Sequence, residues 1–274
     1  MYTKDQIKTL CAKYDLMPSK SKGQNFLTDF KVIEKIIEVA KISKQETILE
    51  IGPGLGVLTG ELIKSAKKVI AVELDKKLFD FLQVEFVGIE NLELINSDIL
   101  KLNLAKLNLK DFEYRLIANL PYNITSVAIR NFLTNSPKPS EMILMVQKEV
   151  AQRICAPIGE MSILGISAQF YGLPEVLFEV RRGCFWPEPK VDSAVIKIKL
   201  KENLPEISEK KFFQIVKMGF SSRRKQLHNN LASGLNLKSE DLKKIIMDLG
   251  FDEKIRAQDL GVADWIKIQQ MISK

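Results

Sequence analysis

Asn119-Leu120-Pro121-Tyr122 follows the apolar run Arg115-Leu-Ile-Ala118, so these four residues are expected where a buried strand empties into a loop. Residues of these types at such a place suit chemistry on an amino group attached to an aromatic ring. That amine is a poor nucleophile because its lone pair is delocalised into the ring. Two acceptors held near the nitrogen draw it toward tetrahedral geometry. Asn119 offers its side-chain carbonyl, and Leu120, pushed toward an extended conformation by the proline after it, presents its backbone carbonyl. Pro121 stiffens the turn and carries no N–H. Tyr122 can lie flat on the ring, where base stacking is worth about 1–3 kcal/mol. A plain turn leaving a strand is the other reading of the same residues.

The elements that would position this tetrapeptide are visible upstream. Thr47-Ile-Leu-Glu-Ile51 is a short apolar run ending in Gly52-Pro53-Gly54-Leu55-Gly56, after which Val57–Ile63 takes on helical periodicity. Such a glycine-rich strand-to-helix loop lets a ligand approach bare backbone. Lys68-Val-Ile-Ala-Val72 ends at Glu73, where an acid can accept hydrogen bonds from a ribose, and Leu92-Glu-Leu-Ile95 leads to Asp98. Gly52, Glu73, Asp98 and Asn119 are thus spaced by 21, 25 and 21 residues. Each strand-helix unit delivers one such position to the carboxyl edge of a parallel sheet, where open α/β sheets bind ligands.

The loop also excludes ligands. In a dinucleotide fingerprint the third glycine would stand at position 57, which is Val57, and no Gly-Lys-Ser/Thr follows as a phosphate-cradling loop requires. An acid-ringed pocket without phosphate signals fits S-adenosylmethionine, whose sulfonium is positive and whose ribose would face Glu73.

Five segments, Lys22-Gly-Gln-Asn-Phe-Leu27, Glu50-Ile-Gly-Pro-Gly-Leu-Gly56, Asn119-Leu-Pro-Tyr-Asn123, Phe185-Trp-Pro-Glu-Pro-Lys-Val191 and Arg223-Arg-Lys-Gln-Leu-His-Asn-Asn230, carry a resemblance over nearly the whole chain. In these the sequence resembles the KsgA-type 16S rRNA adenine-N6 dimethyltransferases, relatives of the eukaryotic Dim1 and the Erm resistance methyltransferases. The resemblance implies a cofactor site lined by Asn25, Leu27, Gly52, Gly54, Glu73, Asp98 and Asn119, with Glu73 at the ribose and Asp98 near the adenine. It implies that Asn119, Leu120, Pro121 and Tyr122 form the catalytic loop and that Phe185 is an aromatic residue at the target base. Ordinary packing is the other reading of Leu27 and Phe185. The implied substrate is a pair of adjacent adenosines near the 3′ end of 16S rRNA in a small-subunit (30S) precursor. Leu120, the Phe185–Val191 segment and the Arg/Lys cluster favour this over Erm-like methylation of 23S rRNA. A ribosome-assembly or nucleic-acid-binding factor with secondary activity is the alternative of a different class.

The expected fold is α/β, a Rossmann-like class I methyltransferase sheet with a small C-terminal helical domain. Glu141–Val146 reads as a fifth strand, and Pro174–Val180 and Ser193–Leu200 as a late antiparallel hairpin. A polar, proline-containing break at Glu202-Asn203-Leu204-Pro205 sets the expected domains at 1–203 and 204–274. With 274 residues, 46% of them hydrophobic, the chain is long enough for one sizeable core and a small one. Its net charge of +7 favours a polyanionic partner. Residues 201–274 hold 14 Lys and Arg against 10 Asp and Glu, with no acid from 210 to 225. Lys217, Arg223, Arg224 and Lys225, joined by Lys20 and Lys22, are therefore expected to meet RNA phosphates, while a solvated helix face is the bland alternative. His228, the only histidine, reads as RNA-facing or structural. Cys11, Cys155 and Cys184 are odd in number and lack CxxC spacing, which points to reduced, packed thiols and to no metal. Without an apolar leader or a run of membrane-spanning length, a monomeric cytoplasmic protein is expected.

Overall fold

The chain opens with helix α1 (Lys4–Lys13) and the two-residue strand β1 (Phe26–Leu27), then enters α2 (Phe30–Ala40) in the computed structural model, which describes residues 4–19 and 23–272. Asp29 starts α2 by accepting the Lys31 N–H at 3.0 Å, and Ile33, Ile36 and Ala40 form its buried face. Strand-helix units follow: β2 (Thr47–Ile51), α3 (Val57–Ser65), β3 (Lys68–Glu73), α4 (Lys76–Glu85), β4 (Leu92–Asn96), β5 (Tyr114–Asn119), α5 (Thr125–Thr134) and β6 (Glu141–Gln147). Between β4 and β5 the crossover holds only a 3₁₀ turn, Leu104–Leu107. Strands β2, β3 and β5 are almost continuously buried, as parallel strands covered on both faces must be, and this is why they read as apolar runs. After α6 (Lys148–Ile154) and α7 (Ile163–Tyr171) come β7 (Gly172–Val180), β8 (Phe185–Trp186) and β9 (Ser193–Leu200).

The large sheet has the order β4-β3-β2-β5-β6-β9-β7. Pairs from β4 through β6 are parallel, and β9 is antiparallel to both β6 and β7. The expected Rossmann-like sheet with its late hairpin is therefore present. Successive strands are added to one side of β2 and to the other side of β5, and such a switch point opens a crevice at the carboxyl ends of these two parallel strands. Gly52 follows one of them and Asn119 ends the other.

At the opposite edge Arg115 ties three elements together. Its guanidinium donates to Glu46, to Glu141 and, at 2.7 Å, to the Ala40 carbonyl at the end of α2. The side chain is 10% exposed, so its charge is held almost entirely by these partners.

Two compact units emerge, one of residues up to Ala151 with Gly172–Glu202, the other of Gln152–Tyr171 with the residues from Asn203 on. The division is thus not the single cut at 203 expected from composition, because Gln152–Tyr171 joins the C-terminal helices. The reason is aromatic: Phe170 of α7 lies 4.7 Å from Phe212, and Tyr171 stacks on Phe213 at 5.7 Å. Both partners belong to α8 (Glu209–Gly219), which is followed by α9 (Leu227–Leu235), α10 (Ser239–Asp248) and α11 (Val262–Ile272). Trp265 of α11 is fully buried close to Gly219, where an added Cβ would sit 2.3 Å from the indole. The bend after α8 is held by Asn230, buried in α9, which donates to the Gly219 and Ser222 carbonyls at 2.6 and 2.9 Å.

Candidate active site

A cavity of about 210 Å³ opens at the switch point. Its floor is the loop Gly52–Gly56, where Gly52 and Gly54 have φ of +65° and +60°, a conformation that L side chains rarely adopt. A Cβ at Gly52 would lie 3.6 Å from Pro121, so the glycine loop and the tetrapeptide after β5 abut. Glu73 at the tip of β3 is 5% exposed and faces this loop, accepting N–H bonds from Gly54 at 3.1 Å and Asp75 at 2.8 Å. Burial holds its carboxyl above the usual range, and the N–H bonds pull the other way. Asp98 lines the same wall beyond β4 and accepts the Leu100 N–H at 3.0 Å.

The tetrapeptide follows. Leu120 is buried with its N–H given to the Met145 carbonyl at 3.2 Å, which fixes the peptide at the end of β5. No hydrogen bond within the described residues occupies the Asn119 side chain or the Leu120 carbonyl, so both acceptors are available at the cavity. The Pro121 carbonyl receives the Ile124 N–H at 3.2 Å and the Thr125 hydroxyl at 3.1 Å, closing the turn into α5. Tyr122 is half-buried, and its hydroxyl shares a 2.7 Å hydrogen bond with the fully buried Ser193 at the start of β9. That tether reduces the freedom of the ring to swing.

A strap from the N-terminal side covers the floor. Phe26 packs over Gly54, where an added Cβ would be 3.4 Å from its ring. The short pairing of β1 with β8 sets Leu27 opposite Phe185 and Phe26 opposite Trp186. Thr28 fastens the pair by donating its N–H and hydroxyl to the Cys184 carbonyl at 2.8 and 2.9 Å. Asn25, Leu27 and Phe185 all line the cavity. Phe185 is fully buried, paired with Leu27 and part of one apolar cluster with Ile33 and Met145, so it combines the packing and cavity readings.

A family profile described as ribosomal RNA adenine dimethylase matches residues 18–274. The chain belongs to this family. Among relatives of this dimethylase family, "Ribosomal RNA small subunit methyltransferase A" of Dehalococcoides mccartyi (strain CBDB1) is 43% identical over 265 residues, covering 96% of this chain and 91% of the relative. A protein of the same name from Clostridium botulinum (strain Loch Maree / Type A3) is 39% identical, covering 97% and 98%. The crystal structure of a dimethyladenosine transferase from Plasmodium falciparum is 27% identical with a TM-score of 0.76, covering 89% of this chain and 95% of that one. The 23S rRNA methyltransferase ErmE, at 24% identity and a TM-score of 0.73 over 91% and 100% of the two chains, shares the fold.

Of the residues singled out in this dimethylase sequence, Asn25, Leu27, Gly52, Gly54, Glu73, Asp98, Asn119, Leu120, Pro121, Tyr122 and Phe185 come together around one cavity. Lys217, Arg223, Arg224 and Lys225 are exposed on the other unit, and Lys20 and Lys22 lie outside the described residues. His228 has both ring nitrogens engaged, with Ser239 at 2.7 Å and Gln226 at 2.9 Å, which makes it structural. Two features were not read from the sequence. One is Ser193, which only the register of β9 brings to Tyr122. The other is Glu50, inside the second motif of the resemblance, 1% exposed and lining the cavity. An acid inside an otherwise apolar strand was the signal that could have drawn attention to it.

Proposed function

We propose that this dimethylase transfers methyl groups from S-adenosylmethionine to N6 of two adjacent adenosines near the 3′ end of small-subunit (16S) rRNA, two on each, in an assembling 30S particle. The observation that carries the reading is the abutment of two uncommitted acceptors, the Asn119 side chain and the Leu120 carbonyl, on a glycine loop faced by carboxyls. Glu50, Glu73 and Asp98 line the cavity, and among the described residues no Lys, Arg or His does, so the residues present suit a cationic nucleoside rather than a phosphate. Glu73 keeps lone pairs for a ribose beyond the two N–H bonds that it accepts. Bound S-adenosylmethionine supplies an electrophilic methyl group on a positively charged sulfur.

The chain's own residues do the rest by orientation. A target adenosine must be turned out of its RNA stack to reach the cavity. Tyr122, held by Ser193, stacks on the base, with Phe185 as the second aromatic wall. Asn119 and Leu120 accept the two N6 hydrogens, turning the nitrogen lone pair toward the methyl donor. The methylated nitrogen is cationic and acidic and loses its proton to solvent, so no histidine base is needed. Rotation about C6–N6 then presents the remaining hydrogen for a second round. Exposed Lys217, Arg223, Arg224 and Lys225 hold RNA phosphates. In this reading the working form is a monomer in the cytoplasm; among the described residues no helix is long and apolar enough to cross a membrane.

Incubation with methyl-labelled S-adenosylmethionine and either small-subunit particles or large-subunit RNA tests the proposal. Label in the small-subunit RNA is expected. Label in 23S rRNA alone would support the Erm-like alternative, and binding of the cofactor with no transfer would support an assembly factor.

A further inference from the structure

Glu50 has no part in the steps above, yet it stands in the wall of the same cavity. Its carboxyl is 1% exposed and accepts one hydrogen bond, from the equally buried Thr59 hydroxyl of α3 at 2.7 Å. The charged and titratable groups facing it are few. From β3 comes Glu73, which adds a like charge, and Asp75 lies just beyond it. Asp98 and Tyr122 complete the titratable lining, and no Lys, Arg or His is present among the described residues that form the wall. On α3 the charged Glu61 and Lys64 pair with each other at 2.8 Å.

Between the two neighbouring acids burial and, after it, hydrogen bonding decide which ionises first. Glu73 receives two backbone N–H bonds and Glu50 a single hydroxyl. Burial, reinforced by the charge of Glu73, pushes the Glu50 carboxyl up to about 8, so Glu50 holds a proton at neutral pH.

Resting on the cofactor reading above, we propose that Glu50 is the residue by which the cavity distinguishes the methyl donor from the spent product. S-adenosylmethionine carries a sulfonium, and the S-adenosylhomocysteine left after transfer carries a neutral thioether. The two differ by one positive charge and one methyl group. A cation enclosed with Glu50 favours the ionised carboxylate, so the donor enters and a proton leaves to solvent. Once the sulfur is neutral that compensation is gone, Glu50 takes a proton back from solvent, and the product is held less tightly. Glu50 is then a specificity-determining residue that acts through charge.

Calorimetric titration of S-adenosylmethionine and of S-adenosylhomocysteine into the full chain, in two buffers of different ionisation enthalpy, counts the protons. Working from pH 6 to 7 keeps the ligands' own amino groups, which titrate at about 7.7–8.0 in model compounds, mostly protonated. The expected result is release of close to one proton with the donor and close to none with the product. Donor affinity should rise by up to about tenfold per pH unit while product affinity stays level. Glu50→Gln keeps an acceptor for Thr59 and should abolish both the release and the slope. Equal proton counts for the two ligands, or undiminished release in the Gln variant, would overturn the assignment while leaving the cofactor site intact. Failure of both ligands to bind would overturn the cofactor reading and this inference with it.

Discussion

At the scale of single residues, Tyr122 and Asn119 depend on what surrounds them. Removing the hydroxyl partner by Ser193→Ala should leave the Tyr122 ring in place but free to turn, and a several-fold rise in KM for RNA with unchanged cofactor affinity is expected in steady-state assays. Asn119→Ala removes one of two acceptors that matter most as the nitrogen changes geometry, and by analogy with deletion of an oxyanion-hole donor it should lower kcat by about a hundredfold or more. RNA affinity, measured by filter binding, should change little. Glu50 adds a signature in stability. Its folded value near 8 lies above the ordinary glutamate value of 4.5, so the folded state binds the extra proton. The stabilisation is complete below pH 4.5 and is lost as pH rises toward 8, so thermal melts of the ligand-free protein should show a decline across that window that Glu50→Gln flattens. Asn119, Glu73 and Asp98 were legible because each ends or closely follows an apolar run, at spacings of 25 and 21 residues. Ser193 was not, because its meeting with Tyr122 depends on the pairing of β9 with β6 and no local pattern encodes it.

At the scale of elements, the parallel strands were readable because burial on both faces demands unbroken apolar runs. The two-residue strands β1 and β8 were not, since a pair this short has no periodicity and its partners stand about 160 positions apart. Only the family resemblance drew attention to both segments. The sheet's far edge depends on Arg115, whose charge joins Glu46, Glu141 and the end of α2. Arg115→Ala leaves two carboxylates without their partner, and because both are partly exposed the loss should fall near the low end for broken buried pairs, about 3 kcal/mol by denaturant unfolding. An apolar Arg115→Met should not rescue it while the two acids remain. Lost stability with unaltered cofactor affinity is the expected pairing, as this cluster sits at the edge opposite the cavity.

At the scale of the whole molecule, the excess positive charge was plain from composition, but the membership of the units was not. Gln152–Tyr171 joins the helical unit because Phe170 and Tyr171 need Phe212 and Phe213 to cover them, and side-chain complementarity of that kind leaves no mark in composition. Charge reversal at the exposed Arg223 and Arg224 should weaken RNA binding and flatten its dependence on salt, and an unchanged slope would place these residues away from the RNA. The claim on which the account turns is that Asn119 and Leu120 grip an exocyclic adenine nitrogen in front of a methyl donor. Nucleoside mass spectrometry of small-subunit RNA, treated with S-adenosylmethionine and either the unaltered chain or Asn119→Ala, tests it most directly. The account predicts N6,N6-dimethyladenosine with the first and almost none with the second, and equal yields of that nucleoside from both proteins would contradict it.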